Sequence, residues 1–266
     1  FSIVTWDGND DSGGASPQTV YHGLGVKPEF MILKSRTHYA EDDGEGFIDL
    51  WFARHKDLTS DLYWIDLNYY AHETEWDYTS DGYGGYASGE YPALSGIDAS
   101  SFDVSNNFSD SYALNYDDSI AANMAENTDS YVAYCFAGVE GYSKFGTYEG
   151  GSWDDVFVYL GFKPTFLMVK QIDNVSVSTQ AGWLMLDSTR STYNVRNDSL
   201  FANNDTQEDY RGDGTTPLTG GSAAKCDIDF LSNGFNVFGD GNSETSVSTY
   251  IYAAFAESPF KFSTGA

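Results

Sequence analysis

"HGLGVKPEFMILK", His22–Lys34, is answered later in the chain by "YLGFKPTFLMVK", Tyr159–Lys170. Each stretch holds a glycine, one residue, Lys-Pro, one residue, and an apolar run that closes on lysine. Gly25 and Gly161 permit backbone angles that other residues avoid. Pro28 and Pro164 favour an extended residue before them and cannot continue a hydrogen-bonded ladder. The phrase therefore reads as a folding instruction, a turn followed by a buried strand, and it is written twice.

Working outward, other pairs recur in the same order. "TWDG" (5–8) matches "TYEG" (147–150), "LWFARH" around Trp51 matches "GWLMLD" around Trp183, and "SYVAYCFA" (130–137) matches "TYIYAAFA" (249–256). Phe102 and Val104 answer Phe235 and Val237. Several anchors in register define an internal repeat, with copies at 1–141 and 142–266. The join "AGVEGYSKFG" is too short and too apolar for a flexible linker. "SIVTW", "FMILK", "YVAYCFA", "FLMVK", "GWLML", "FNVFG" and "TYIYAAFA" are short, β-branched and aromatic, and bounded by turn residues. No segment sustains a helical apolar period. The expected fold is all-β: two tandem antiparallel β-sandwich units of jelly-roll or concanavalin-like type.

Composition narrows the function. In 266 residues, 41% are hydrophobic and 17% aromatic, enough for a substantial core. A net charge of −27 would repel phosphate and disfavours nucleic-acid binding. It fits a solubilised surface, or a set of divalent-cation sites. The first copy carries −20 and the second −7, a skew that belongs to loops and surface. No apolar run is long enough to span a membrane as a helix, so no membrane insertion is expected. Cys135 and Cys226 lie in strand-like runs and read as buried thiols, with a single disulfide as the alternative.

Together "FSIVTWDGN…HGLGVKPEFMILK", "YVAYCFAGVEGYSKFGTYEG", "GFKPTFLMVK", "FLSNGF" and "TYIYAAFAESPFKF" resemble a repeat family in virion proteins of marine tailed phages, similar to tail-fibre or other appendage proteins. The resemblance covers both copies and thins at 35–50, 68–130 and 172–225. It implies concanavalin- or laminin-G-like sandwiches, a virion location, and a non-enzymatic structural or host-binding role. It also implies a homo-oligomer with other virion proteins as partners, and a C-terminal portion of a longer chain. It carries no catalytic residues to transfer.

The candidate contact region is residues 68–98, read as an insertion absent from the second copy. It sets Tyr69, Tyr70, Trp76, Tyr78, Tyr83 and Tyr86, with Tyr91, among Gly, Ser and acidic residues. Flat rings cover the apolar face of a pyranose and carboxylates accept from its hydroxyls, so one reading is a surface for a host cell-surface glycan or other receptor, and Tyr/Gly/Ser richness also serves protein recognition. Packing of these rings over the sandwich or a neighbouring subunit is the other reading. For metal, Asp7, Asn9 and Asp11 alternate like the opening of an EF-hand loop. Ser12 stands where that loop needs Gly, and Gln18 where it needs Glu, so an EF-hand is rejected. A solvated turn and a looser Ca²⁺ site both stay open, and no other cofactor is expected.

"NNDTQEDYRGDG" (203–214) has a similar look. None of the four histidines forms a close zinc-type pair, and no phosphate loop or nucleophile elbow occurs. The nearest approach to a glycosidase strand is Glu75-Trp-Asp77-Tyr-Thr-Ser80, where the third acid is missing, so an enzyme is not expected. Asp227 and Asp229 alternate in "KCDIDF" as a polar strand face would. The alternatives to a phage appendage are a capsid decoration protein, a free-standing carbohydrate-binding protein and a polysaccharide-degrading enzyme.

Overall fold

The computed structural model describes residues 1–9, 17–37, 51–61, 63–67, 73–75, 94–105, 129–150, 155–173, 182–196, 198–202, 228–238 and 248–258. These residues form strands and turns with no helix, and the strand pairs are antiparallel. The chain is an all-β protein of two sandwich units related by an internal repeat.

Unit 1 comprises Phe1–Arg54, Thr59–Trp64 and Thr74–Phe136. Its strands are β1 (Ser2–Asp7), β2 (Gln18–Tyr21), β3 (Phe30–Ser35), β4 (Phe52–His55), β5 (Tyr63–Asp66), β6 (Thr74–Glu75), β7 (Leu94–Ser95), β8 (Ser101–Val104) and β9 (Ser130–Phe136). They build one sheet of order β1-β9-β3-β4-β5-β6 and a second of order β2-β8-β7. Trp6, Met31, Leu33, Phe52, Trp64, Tyr131 and Ala133 from the first sheet meet Val20, Leu94, Phe102 and Val104 from the second in one buried cluster. Such two-sided contribution makes the layers a sandwich.

Unit 2 comprises His55–Leu58, Ile65–Glu73 and Ala137–Ala266, so the last residue of β4 and the last two of β5 belong to it. Its remaining strands are β10 (Ser143–Gly150), β11 (Val156–Tyr159), β12 (Phe166–Gln171), β13 (Leu184–Asp187), β14 (Leu200–Phe201), β15 (Ile228–Leu231), β16 (Gly234–Val237) and β17 (Ser248–Phe255). Their sheets run β10-β17-β12-β13-β14 and β11-β16-β15. Position for position this is the order of unit 1, with β6 added there at the edge. Leu167, Val169, Leu184, Leu186, Tyr250 and Tyr252 close on Val158, Ile228, Phe230 and Phe235 to form its core.

The repeated phrases perform the same physical tasks in both units. Gly25 and Gly161 take φ of 78° and 86°, the left-handed region that favours glycine. The amides after the two prolines, Glu29 and Thr165, donate to the carbonyls of Phe136 and Phe255, each at 2.8 Å. Phe30 then pairs with Phe136 and Phe166 with Phe255. In unit 1 Trp6 stacks on Tyr131 at 5.4 Å and meets Phe102 edge-on at 5.6 Å. In unit 2 Tyr148 stacks on Tyr250 at 5.1 Å and meets Phe235 edge-on at 5.9 Å. One trio of rings thus clamps the two sheets of each sandwich, each ring pair worth roughly 0.5–1.5 kcal/mol beyond burial.

Where the copies differ is in their connections. Residues 67–93 join β5 to β7, and 202–227 join the corresponding β14 to β15. The aromatic segment therefore occupies a connection of nearly the same length in both units, and the copies differ there in composition. The additional length of the first copy falls mainly between β8 and β9, residues 105–129, against 238–247 between β16 and β17.

Candidate functional site

Tyr69, Tyr70, Trp76, Tyr78, Tyr83, Tyr86 and Tyr91 lie outside the described residues. Their surroundings in the chain are described. β6 pairs with Tyr63 and Trp64 at one edge of the larger sheet, and β7 pairs with β8 at the edge of the smaller one. In sequence, Trp76 to Tyr91 therefore fall between the edge strands β6 and β7, and Tyr69 and Tyr70 between β5 and β6. Glu75 is in β6, whereas Asp77 is outside the described residues.

Asp7 ends β1 opposite Ser130, and its carbonyl accepts from Gln18 Nε2 at 3.0 Å. Asn9 follows it, and Asp11 is outside the described residues, as are 203–214 and Cys226. Among the described residues no three His, Cys, Asp or Glu side chains are grouped to hold a metal ion. Cys135 is a buried thiol in β9, and burial pushes its pKa up to about 11, so it stays protonated.

Two of the histidines are structural. His22 Nδ1 accepts from the Leu24 amide at 3.1 Å, so its Nε2 carries the proton toward the Asp98 carbonyl at 3.2 Å. His55 Nδ1 accepts from the Asp57 amide at 3.2 Å and its Nε2 faces the Tyr252 carbonyl at 3.1 Å. In each ring one nitrogen faces a backbone amide and the other a backbone carbonyl, so both nitrogens a metal would need are engaged by backbone.

The most unusual chemistry among the described residues lies in two buried titratable groups that sequence reading did not single out. Lys170 in β12 is 0% exposed and Asp66 in β5 is 1% exposed, and both belong to unit 2. Core residues Leu167 and Val169 alternate with Met168 and Lys170, so Lys170 lies on the sheet face turned away from the sandwich core. The β12–β13 register pairs Val169 with Leu184, which brings Lys170 beside Trp183 at the next step. Trp183, 1% exposed, donates its indole N–H to the Asp66 carbonyl at 2.8 Å. Ile251 is the β17 partner of Lys170, and Ile65 precedes Asp66; both are fully buried.

Burial pushes the Asp66 carboxyl up to about 7, with Lys170 opposing, and pushes the Lys170 ammonium down to about 7, with Asp66 opposing. Each charge is costly in so dry a layer, so the neutral forms of both groups come within reach near neutral pH. Asp66 Oδ1 is buried with no hydrogen-bond partner. The equivalent Lys34 in unit 1 is only half-buried and lies over the Trp51 ring at 5.6 Å. Both copies thus keep a Lys–Trp pair, and in unit 2 both of its members are buried. The signal available in sequence was the lysine that closes an otherwise apolar strand, and it is the same in both copies.

The chain belongs to the family described as Domain of unknown function (DUF7483), whose model matches residues 1–259. No curated protein and no solved structure matches it. Among the described residues no helix is long and apolar enough to cross a membrane.

Proposed function

We propose that this chain is a structural module of a tailed-phage virion, of the tail-fibre or appendage kind, that presents variable connections to a glycan on the host surface. The observation carrying this reading is the contrast between the two copies. Strand order, the proline-closing hydrogen bonds and the clamping ring trio recur, while the equivalent connections 67–93 and 202–227 share neither composition nor charge pattern. A constant rigid body with divergent connections at one position is the arrangement of a recognition scaffold. The first copy fills that position with tyrosines, Trp76 and carboxylates, the groups that grip sugars. In this reading the protein works as a homo-oligomer, which multiplies weak glycan contacts by repetition.

The test is a glycan array probed with the purified chain. Binding that Trp76→Ala or Tyr83→Ala reduces at least tenfold, with an unchanged melting temperature, is the expected result. Release of reducing sugar from a bacterial or algal polysaccharide, stopped by Glu75→Gln or Asp77→Asn, would replace the reading with a polysaccharide-degrading enzyme. Absence of the chain from purified phage particles would remove the virion assignment.

A further inference from the structure

We propose that copies of this chain join head to tail, the β13–β14 connection of one copy seating on the outer face of the larger sheet in unit 1 of the next. This contact deepens the homo-oligomer proposed above, yet it involves residues outside the candidate glycan segment. It follows from one sheet face that is covered in unit 2 and open in unit 1.

Strand registers make the two faces comparable position by position. Side chains alternate along a strand, so the neighbours of core residues point to the outer face, away from the sandwich interior. In unit 2 that face holds Phe145, Met168, Lys170, Trp183, Ile251 and Ala253, all of them buried. Their equivalents in unit 1 are Ile3, Ile32, Lys34, Trp51, Val132 and Tyr134. Phe145 is 2% exposed and Ile3 56%. Ile32, Lys34, Trp51 and Tyr134 are half-buried. Phe1, on the same side of β1 as Ile3, rests on Phe136 at 4.7 Å and is still 65% exposed.

Unit 2 covers its face with residues from the ends of β4 and β5 and the segment beyond, which belong to that unit. The His55 ring meets Phe145 edge-on at 6.3 Å and its Nε2 faces the Tyr252 carbonyl at 3.1 Å. The Asp66 carbonyl accepts from the Trp183 indole at 2.8 Å, and the Glu73 amide donates to the Ile172 carbonyl at 3.3 Å. His55 and Asp66 thus sit on the two strands joined by the β4–β5 connection. Its equivalent in the repeat is the β13–β14 connection, which is longer, 188–199 against 56–62. Residues 192–195 at its tip are exposed between buried Ser191 and Arg196, and Tyr193 is 84% exposed. The tip is held from below. Asn194 Nδ2 donates to the Phe230 carbonyl and Asn194 Oδ1 accepts from the Phe230 amide, both at 3.1 Å, and the Ser191 hydroxyl donates to Asp198 at 2.8 Å. An aromatic ring on a pre-organised loop makes an interface anchor with little ordering cost. Residues 188–197 contain Arg190 and Arg196 and no acid, so the acidic first half of another copy does not repel them. Because the two patches differ, the contact is heterologous and propagates into a ring or a filament.

The experiment is analytical ultracentrifugation of wild type, Ile3→Asp and Tyr193→Asp, alone and mixed. Wild type is expected to form species of two and more copies as concentration rises. Each variant alone is expected to sediment as a monomer with an unchanged melting temperature, since both positions are exposed. An equimolar mixture of the two is expected to give dimers and nothing larger, because one intact loop and one intact face remain between them. Phe1→Asp serves as the face variant if Ile3→Asp lowers the melting temperature. A wild type that stays monomeric overturns the contact, as does association that persists in either variant alone or a mixture that forms no dimer. Glycan binding by a monomeric wild type would overturn this contact and leave the adhesion reading standing. Head-to-tail assembly without glycan binding would do the reverse.

Discussion

Asp98 shows how much one side chain settles at a turn. Its Oδ1 accepts from the Ser100 and Ser101 amides at 2.7 and 2.8 Å and from the Ser100 hydroxyl at 2.9 Å. Three donors on one oxygen stabilise the carboxylate, and the pKa falls to about 2. The group precedes β8, the strand that brings Phe102 into the core, and its carbonyl faces His22. Because the folded-state pKa lies below the unfolded one, its contribution to stability is fully present above about pH 4. It is lost as pH falls toward 2. The gap in melting temperature between wild type and Asp98→Ala is therefore expected to be constant from pH 7 to about 4 and to narrow below that. A gap that does not change between pH 7 and 2 would contradict the assignment. Such local hydrogen bonding is visible in sequence as Asp-Ala-Ser-Ser before a strand, a turn signature. The burial of Lys170 has no local signature, because the same closing lysine in the first copy, Lys34, is only half-buried.

At the scale of elements, the strands read from sequence are those with aromatic or β-branched anchors in the core: β1, β3, β9, β12, β13, β16 and β17. Their side chains are committed to one or both faces of a sheet, so the chemistry of burial is written locally. The two-residue strands β6, β7 and β14 were illegible, since too few residues alternate to show a period. β5 and β11 are four-residue strands of the "YWID" and "VFVY" kind, and they too were not singled out. The Gly-x-Lys-Pro entry was legible because its requirement is conformational. A Cβ at Gly25 would meet nothing within 4 Å, and one at Gly161 only the Tyr159 side chain, its hydroxyl nearest at 3.6 Å. The glycines are thus needed for their positive φ and not for space. Gly25→Ala and Gly161→Ala are each expected to cost about 1–2 kcal/mol in urea unfolding, with similar values at the two sites. A neutral or stabilising effect at either site would show that the turn does not hold that angle.

On the scale of the whole molecule, one plan is used twice and then varied outside the sheets. The first half carries −20 and the second −7, yet both retain the same strand order and the same stacked and edge-on rings. Charge is therefore free to vary where it does not enter a core, and the candidate glycan-contact residues lie, in sequence, in the connection between β5 and β7. Sequence could locate that connection and its composition. It could not show that the second copy has a connection of matching length in the same place, because the two share no residues that would align. Each unit has its own buried cluster. The central strands of each larger sheet should consequently be the last to open. Amide hydrogen exchange read by mass spectrometry tests this most directly. The account predicts the slowest exchange in two sets of peptides, Phe30–Ser35 with Ser130–Phe136 and Phe166–Gln171 with Ser248–Phe255. Slow exchange in one set alone, with the other exchanging as fast as the connections, would contradict a doubled sandwich.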